Sequence, residues 1–288
     1  MSPFNLASYL AERKLLIDRA LDERLPSAAV EPRHVHEAMR YATLGGGKRL
    51  RAILALSVAD LANAPFESVL DSACAIEFVH TASLILDDLP SMDDADTRRD
   101  IPSTHVRFGE ASALLASVAL IAQAFELVAR NAASSSQPEV AALVTQSLAQ
   151  VIGTQGAIYG QHLDLGQSEV PLTLEAMEDT YRRKASALFA GGLTIPATLV
   201  GMSLAQREAL NNYALELGLA FQITDDLIDA GLHGEESHKI TMVTHLGEEG
   251  AHKRVSDLVA SAEDHLRIFG DAADPLRMMA RYVATRKF

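Results

Sequence analysis

Cysteine is almost missing from this 288-residue chain: Cys74 stands alone, so no internal disulfide is possible, and its apolar surroundings suggest a buried thiol. A disulfide-stapled scaffold is excluded, and a reducing compartment is expected. Tryptophan is absent and aromatics make up 5% of residues, too few to line a cavity with cation-binding rings. Basic residues are in deficit, with 25 Lys and Arg against 38 Asp and Glu. The formal charge of -13 offers no general attraction to nucleic acid or anionic lipid, so any anionic ligand must be drawn in locally. The N-terminal segment meets Glu12, Arg13 and Lys14 before an apolar region can build, so no secretory signal is read and a cytoplasmic location is expected. A long uncharged stretch, Ala185 to Ala205, contains Gly191, Gly192, Pro196 and Gly201 and lacks flanking aromatic anchors. It reads as core helix, and no stable membrane insertion is expected.

Hydrophobic residues account for 48% of the chain, enough for a sizeable core. Strict apolar-polar alternation is rare, whereas Ala, Leu, Ile and Val recur at spacings of three and four throughout. The spacing predicts helices near 5-23, 33-43, 48-62, 67-88, 110-130, 138-166, 174-198, 204-231, 247-268 and 274-286, with loops at 131-138 and Gly45-Gly46-Gly47. Ser203 and Gln206 form a capping-box signature, and Thr173 is placed to cap the helix that carries Glu175. No repeat or linker divides the chain, so residues 1-288 are read as one all-α domain. Several helices are apolar on more than one face, as expected inside a large bundle.

Against this background stand two acidic clusters, Asp87-Asp88 with Asp93-Asp94, and Asp225-Asp226 with Asp229. Pro90 should end the first helix nearby, leaving Asp87 and Asp88 where the helix dipole disfavours negative charge. Asp225 and Asp229 share a helix face, where like charges repel. Carboxylates arranged so unfavourably suit a hard cation such as Mg²⁺, which takes oxygen ligands and bridges to phosphates. A solvated acidic surface is the plainer alternative for either cluster alone. Three basic groups, Lys48-Arg49 with Arg51, Arg98-Arg99, and Arg182-Arg183-Lys184, could together clamp diphosphates, although each taken singly reads as a surface patch. His233, His238, His245 and His252 lack a paired metal-ligand spacing and read as a polar segment.

Taken in order, Gly45 to Arg51, His80 to Arg99, Gly160-Gln161 with Asp164, Lys184, and Phe221-Gln222 with Asp225 to Asp229 closely resemble the trans-isoprenyl diphosphate synthases. The segment from His80 to Arg99 is most similar to the bacterial geranylgeranyl diphosphate synthases. The resemblance implies an all-α isoprenoid synthase fold around a deep cavity, a homodimer, and condensation of an allylic diphosphate with isopentenyl diphosphate. It implies Mg²⁺ ligation by Asp87, Asp93 and Asp225, with Asp88, Asp226 and Asp229 in support. Lys184 and Arg98 would hold the allylic diphosphate beside Gln222, and Lys48, Arg51, His80 and Arg99 would bind isopentenyl diphosphate. Family members close the tunnel at fifteen carbons with bulky residues four or five positions before the first Asp; here these are Ser83 and Ala82, with Phe78 a turn deeper as a floor. A twenty-carbon product is therefore expected, with farnesyl diphosphate as the rival. A class I terpene cyclase and a non-catalytic partner subunit are the more distant alternatives.

The chain also departs from the pattern. Beyond Asp229 it is short of the usual lysines, leaving Lys239 as the candidate substitute; Asp100 and Ala185 stand where glycine and threonine are usual.

Overall fold

The computed structural model describes residues 4-133, 138-166, 173-233 and 241-286. Two compact units are formed by residues 1-146 and 147-288.

The first unit is built on α1 (Leu6–Arg24), α2 (Arg33–Leu44), α3 (Leu50–Ala62), α4 (Glu67–Asp87), α5 (Thr104–Phe108) and α6 (Glu110–Ala132). Nearly every residue of α3 from Leu50 to Ala59 is buried, as its all-round apolar pattern requires. Along α4, burial extends from Val69 to Ile85, and α6 lies against it. The Ser117 hydroxyl on α6 donates to the Ala82 carbonyl at 3.1 Å, and Asn131 bridges the first turn of α4 through Ser72 and Ser68. Both α4 and α6 have the length and apolarity of membrane spans. For α4 burial within the unit explains this; α6 keeps Leu114, Leu115 and Val118 exposed.

The second unit contains α8 (Ala157–Asp164), α9 (Leu174–Tyr181), a π-helical turn (Arg182–Ser186), α10 (Ala187–Leu199), α11 (Leu204–His233), α12 (Met242–His265), a 3-10 segment (Leu266–Ala273) and α13 (Asp274–Thr285). Within the stretch read as core helix lies the buried α10, preceded by the π-turn and followed by a break at 200-203 before α11. The helix α7 (Pro138–Ile152) spans the boundary between units. The expected caps form: Ser203 and Gln206 exchange hydrogen bonds of 3.0 and 3.3 Å, and Thr173 accepts from the Ala176 amide.

Four expectations are corrected. The helix expected over 138-166 breaks after Ile152, because the chain folds back until a Cβ on Gly156 would lie 2.2 Å from the Val151 carbonyl oxygen. The continuous helix expected over 174-198 contains the π-turn. The helix expected from 247 begins at Met242, where Thr241 forms a capping box, and Gly247 marks a kink at φ 69. A small hairpin of β1 (Thr97–Arg98) and β2 (Ile101–Pro102) interrupts the otherwise helical chain. Its turn residues Arg99 and Asp100 both have positive φ, as a two-residue hairpin prefers, and Asp tolerates that region better than most residues. This explains how Asp100 stands where glycine is usual.

Candidate functional site

In the first unit, the acidic cluster is a chain that wraps back over a helix end. The carbonyls of Asp87, Asp88 and Leu89 would otherwise be left open at the terminus of α4. They accept from the amides of Asp93 (2.9 Å), Ala95 (3.1 Å) and Met92 (2.9 Å). Asp87 and Asp93 are thereby tied through the backbone although six positions apart in sequence. Asp93 is exposed and Asp87 half-buried, whereas Asp88 is buried and takes the Arg98 guanidinium, whose Nε donates at 2.9 Å. Arg98 therefore stands on the Asp88 side of the hairpin.

The neighbouring turn residue Arg99 takes a different partner, donating to the Gly46 carbonyl at 2.6 Å. Gly46 belongs to the connection between α2 and α3 that carries Lys48. From the first turn of α3, Arg51 approaches His80 Nε2 at 3.4 Å. Arginine can only donate, so Nε2 accepts and the ring proton sits on Nδ1. Burial, then the positive field of Arg51, Arg99, Arg49 and Arg98, holds His80 well below its ordinary pKa. The imidazole is neutral, and Arg51, His80 and Arg99 form one basic cluster around the Gly46–Lys48 loop. Its chemistry suits an anion with several oxygens.

Ser83 lies one turn before Asp87, on the same face of α4, and is half-buried; its hydroxyl donates to the His80 carbonyl. Ala82 and Phe78 are fully buried, and Phe78 falls about 180° around the helix from Asp87 at 100° per residue.

In the second unit, Lys184 stands on the π-turn, a feature common at functional sites. Its Nζ donates to Asp164 at 2.5 Å. Close packing fixes the turn from both sides: a Cβ on Gly160 would meet the Lys184 amide nitrogen at 2.2 Å, and one on Gly218 would meet Ser186 Cα at 2.5 Å. The adjacent Arg182 and Arg183 engage Glu178, Glu216 and Asp179, so the basic run does not point as one clamp.

On α11 the aspartates divide by face, as their spacing predicts. Asp226 turns inward, accepting from Tyr181 at 2.7 Å, the Met242 amide at 3.4 Å and Gln222. Burial raises its pKa to about 6 despite these donors. Asp225 is half-buried and Asp229 exposed on the other side. Asp225 accepts from Arg286, a C-terminal residue with no place in the sequence reading. Lys239 and His238 lie outside the described residues.

The donors at both clusters are carboxylate oxygens, which fit a hard divalent cation. Among the described residues, no three His, Cys, Asp or Glu side chains form a closed cage. Sequence reading missed Glu77 and the structural engagement of Arg49. A carboxylate inside the apolar run from Ala73 to Val79 was the available signal.

The sequence profile of the polyprenyl synthetase family matches residues 32–244. Geranylgeranyl pyrophosphate synthase 4 of Arabidopsis thaliana is 37% identical over 98% of this chain and 78% of its own. Geranylgeranyl diphosphate synthase of Cyanophora paradoxa is 34% identical over 98% and 97%. Among solved structures, an FPP/GFPP synthase from Zymomonas mobilis superposes with a TM-score of 0.89 at 40% identity, covering 98% of this chain and 99% of that one.

Proposed function

The chain belongs to the polyprenyl synthetase family and is a trans-prenyltransferase; from that premise we propose that it condenses isopentenyl diphosphate with an allylic diphosphate to give geranylgeranyl diphosphate. The observation that carries the reading is the pairing, within the first unit, of the backbone-tied Asp87 and Asp93 with the Arg51, His80 and Arg99 cluster. One group is suited to metal-bound diphosphate and the other to a diphosphate met by protein donors.

In the first unit Asp87 and Asp93, supported by Asp88, and in the second Asp225, supported by Asp229, are the proposed Mg²⁺ ligands. Bound there, the metal supplies charge stabilisation for a departing diphosphate. Arg98 in the first unit and Lys184 in the second are assigned to the allylic diphosphate, each held by its own carboxylate, Asp88 and Asp164. Lys48, Arg51, His80 and Arg99 hold isopentenyl diphosphate, with neutral His80 donating through Nδ1. Gln222 lies beside Asp226 on the helix of the second cluster, and Lys239 is assigned to the diphosphates as well. Breaking the allylic C–O bond leaves a carbocation and a diphosphate. The isopentenyl double bond forms the new C–C bond, and a proton then leaves to the released diphosphate.

The small Ser83 on the face of Asp87 supports a twenty-carbon product, while the name of the Zymomonas mobilis relative favours keeping farnesyl diphosphate as the second reading. A homodimer is supported by the exposed Leu114, Leu115 and Val118 of α6, a patch that association would bury.

The test is a product assay with Mg²⁺, isopentenyl diphosphate and each of dimethylallyl, geranyl and farnesyl diphosphate, run beside Asp87→Ala. A Mg²⁺-dependent twenty-carbon product that disappears in the variant supports the proposal. A fifteen-carbon product overturns the chain length alone, and no condensation with any starter favours a non-catalytic partner subunit.

A further inference from the structure

The first turn of α3 has no cap of its own. Arg49, at the N-cap, sits in the left-handed region at φ 55, and its side chain has no acceptor to offer the open amides that follow. The acceptor comes from another helix: Glu77 Oε1 on α4 takes the Ala52 amide at 3.3 Å. The second oxygen of Glu77 faces Arg49 Nη1 at 3.4 Å. Arg49 also donates to the Thr43 carbonyl at 2.7 Å, in the last turn of α2, and to Asp18 on α1 at 2.8 Å. The two side chains are 2% and 4% exposed. One buried guanidinium thus holds the end of α2, and one buried carboxylate holds the start of α3.

The span between those anchors carries the proposed isopentenyl diphosphate site. Lys48 precedes Arg49, Arg51 follows by two positions, and the Gly46 carbonyl that receives Arg99 lies just before. Three positions beyond Glu77 on α4 is His80, which receives Arg51. Glu77 therefore sets the backbone of the helix turn whose Arg51 side chain reaches His80. A buried ion pair is weak evidence for stability, because desolvation offsets its attraction. Its presence under a set of basic groups points to placement.

We propose that the Glu77–Arg49 pair is a positioning device for the second diphosphate site, fixing the Gly46–Lys48 loop and the first turn of α3 so that Lys48, Arg51 and Arg99 converge. Neither residue touches substrate. The inference rests on the prenyltransferase reading above, and it concerns isopentenyl diphosphate alone.

Simple electrostatics makes the test sharp. Removing the Glu77 charge leaves the cluster more positive and should tighten anion binding, whereas loss of placement should weaken it. With Glu77→Gln, the KM for isopentenyl diphosphate is expected to rise about tenfold, while kcat and the KM for the allylic diphosphate change less than about threefold. Calorimetric titration with isopentenyl diphosphate should show the same weakening. Asp18→Asn, which loosens Arg49 from the half-exposed side, is expected to give a smaller rise in the same KM and decides the matter if Glu77→Gln does not fold. An unchanged or lowered KM for isopentenyl diphosphate, or equal rises for both substrates, overturns the proposal. If the wild-type protein condenses nothing, the prenyltransferase reading itself falls, an outcome distinct from a failed split between the two KM values.

Discussion

Arg286, at the end of the described chain, donates to Asp225 at 2.5 Å and lays its guanidinium 3.8 Å over the ring of Phe221, one helical turn before that aspartate. The same group donates to the Phe221 carbonyl at 3.0 Å. A carboxylate assigned to Mg²⁺ is thus held by a cation from the chain itself. Arg286→Ala should cost about 1–2 kcal/mol, the scale of a partly screened charged hydrogen bond. It should also lower the Mg²⁺ concentration giving half-maximal turnover. Thermal denaturation and a Mg²⁺ titration check the two effects, and an unchanged metal midpoint would show that the contact does not compete.

Lys184 depends on a neighbour without a side chain. Adding one methyl at Gly160 drives a carbon into the Lys184 backbone, where no rotamer change gives relief. Gly160→Ala is expected to cost about 1–3 kcal/mol by overpacking. It should also cut turnover by more than the lost folded fraction explains, because the π-turn must shift. Activity measured well below the thermal midpoint separates these contributions.

Product length should respond to Ser83 and Ala82 in different ways. Ser83 is half-buried on the face of Asp87, so Ser83→Phe should shift the product toward fifteen carbons with little loss of stability. Ala82 is fully buried and its carbonyl is tied to Ser117, so Ala82→Phe should instead destabilise by about 1–3 kcal/mol. Chromatography of the dephosphorylated products, alongside melting curves, distinguishes them. A clean length change from Ala82→Phe in a stable protein would sink this assignment of faces.

His80 predicts a pH dependence. Its folded pKa is held down first by burial and then by the surrounding arginines. Below the unfolded value of about 6.5, the unfolded chain takes up a proton that the folded chain refuses. Stability should therefore decline as pH falls through that value, at a limiting slope of about 1.4 kcal/mol per pH unit from this group. His80→Asn should flatten that part of the profile between pH 7.5 and 5.5, values chosen as roughly one unit either side of 6.5. Parallel profiles for the two proteins would count against the buried neutral imidazole.

Assembly is testable on α6. Leu115→Asp and Val118→Asp place charge on exposed apolar positions, so the isolated fold should be little affected. If this patch is the dimer interface, either variant should halve the mass seen by light scattering. A wild-type monomer would refute the assignment outright.

Local sequence determined the helices and much of their punctuation. Apolar spacing of three and four marked α1 to α4, α6 and α11 closely, and the Ser203 and Thr173 caps formed because their hydrogen bonds span only three residues. The inward turn of Asp226 away from Asp225 followed from 100° per residue. Other features rest on groups far apart in the chain. Gly160 makes room for Lys184, Glu77 caps a helix that begins at Leu50, and Arg286 reaches back to Asp225. Even within the motif from His80 to Arg99, spacing alone could not show that Asp93 folds back onto Asp87 or that Arg98 and Arg99, neighbours at a hairpin, take different partners. Helical periodicity reports which face of a segment is apolar, whereas the partner met by a buried polar group depends on which elements pack together; that choice was made by the tertiary structure.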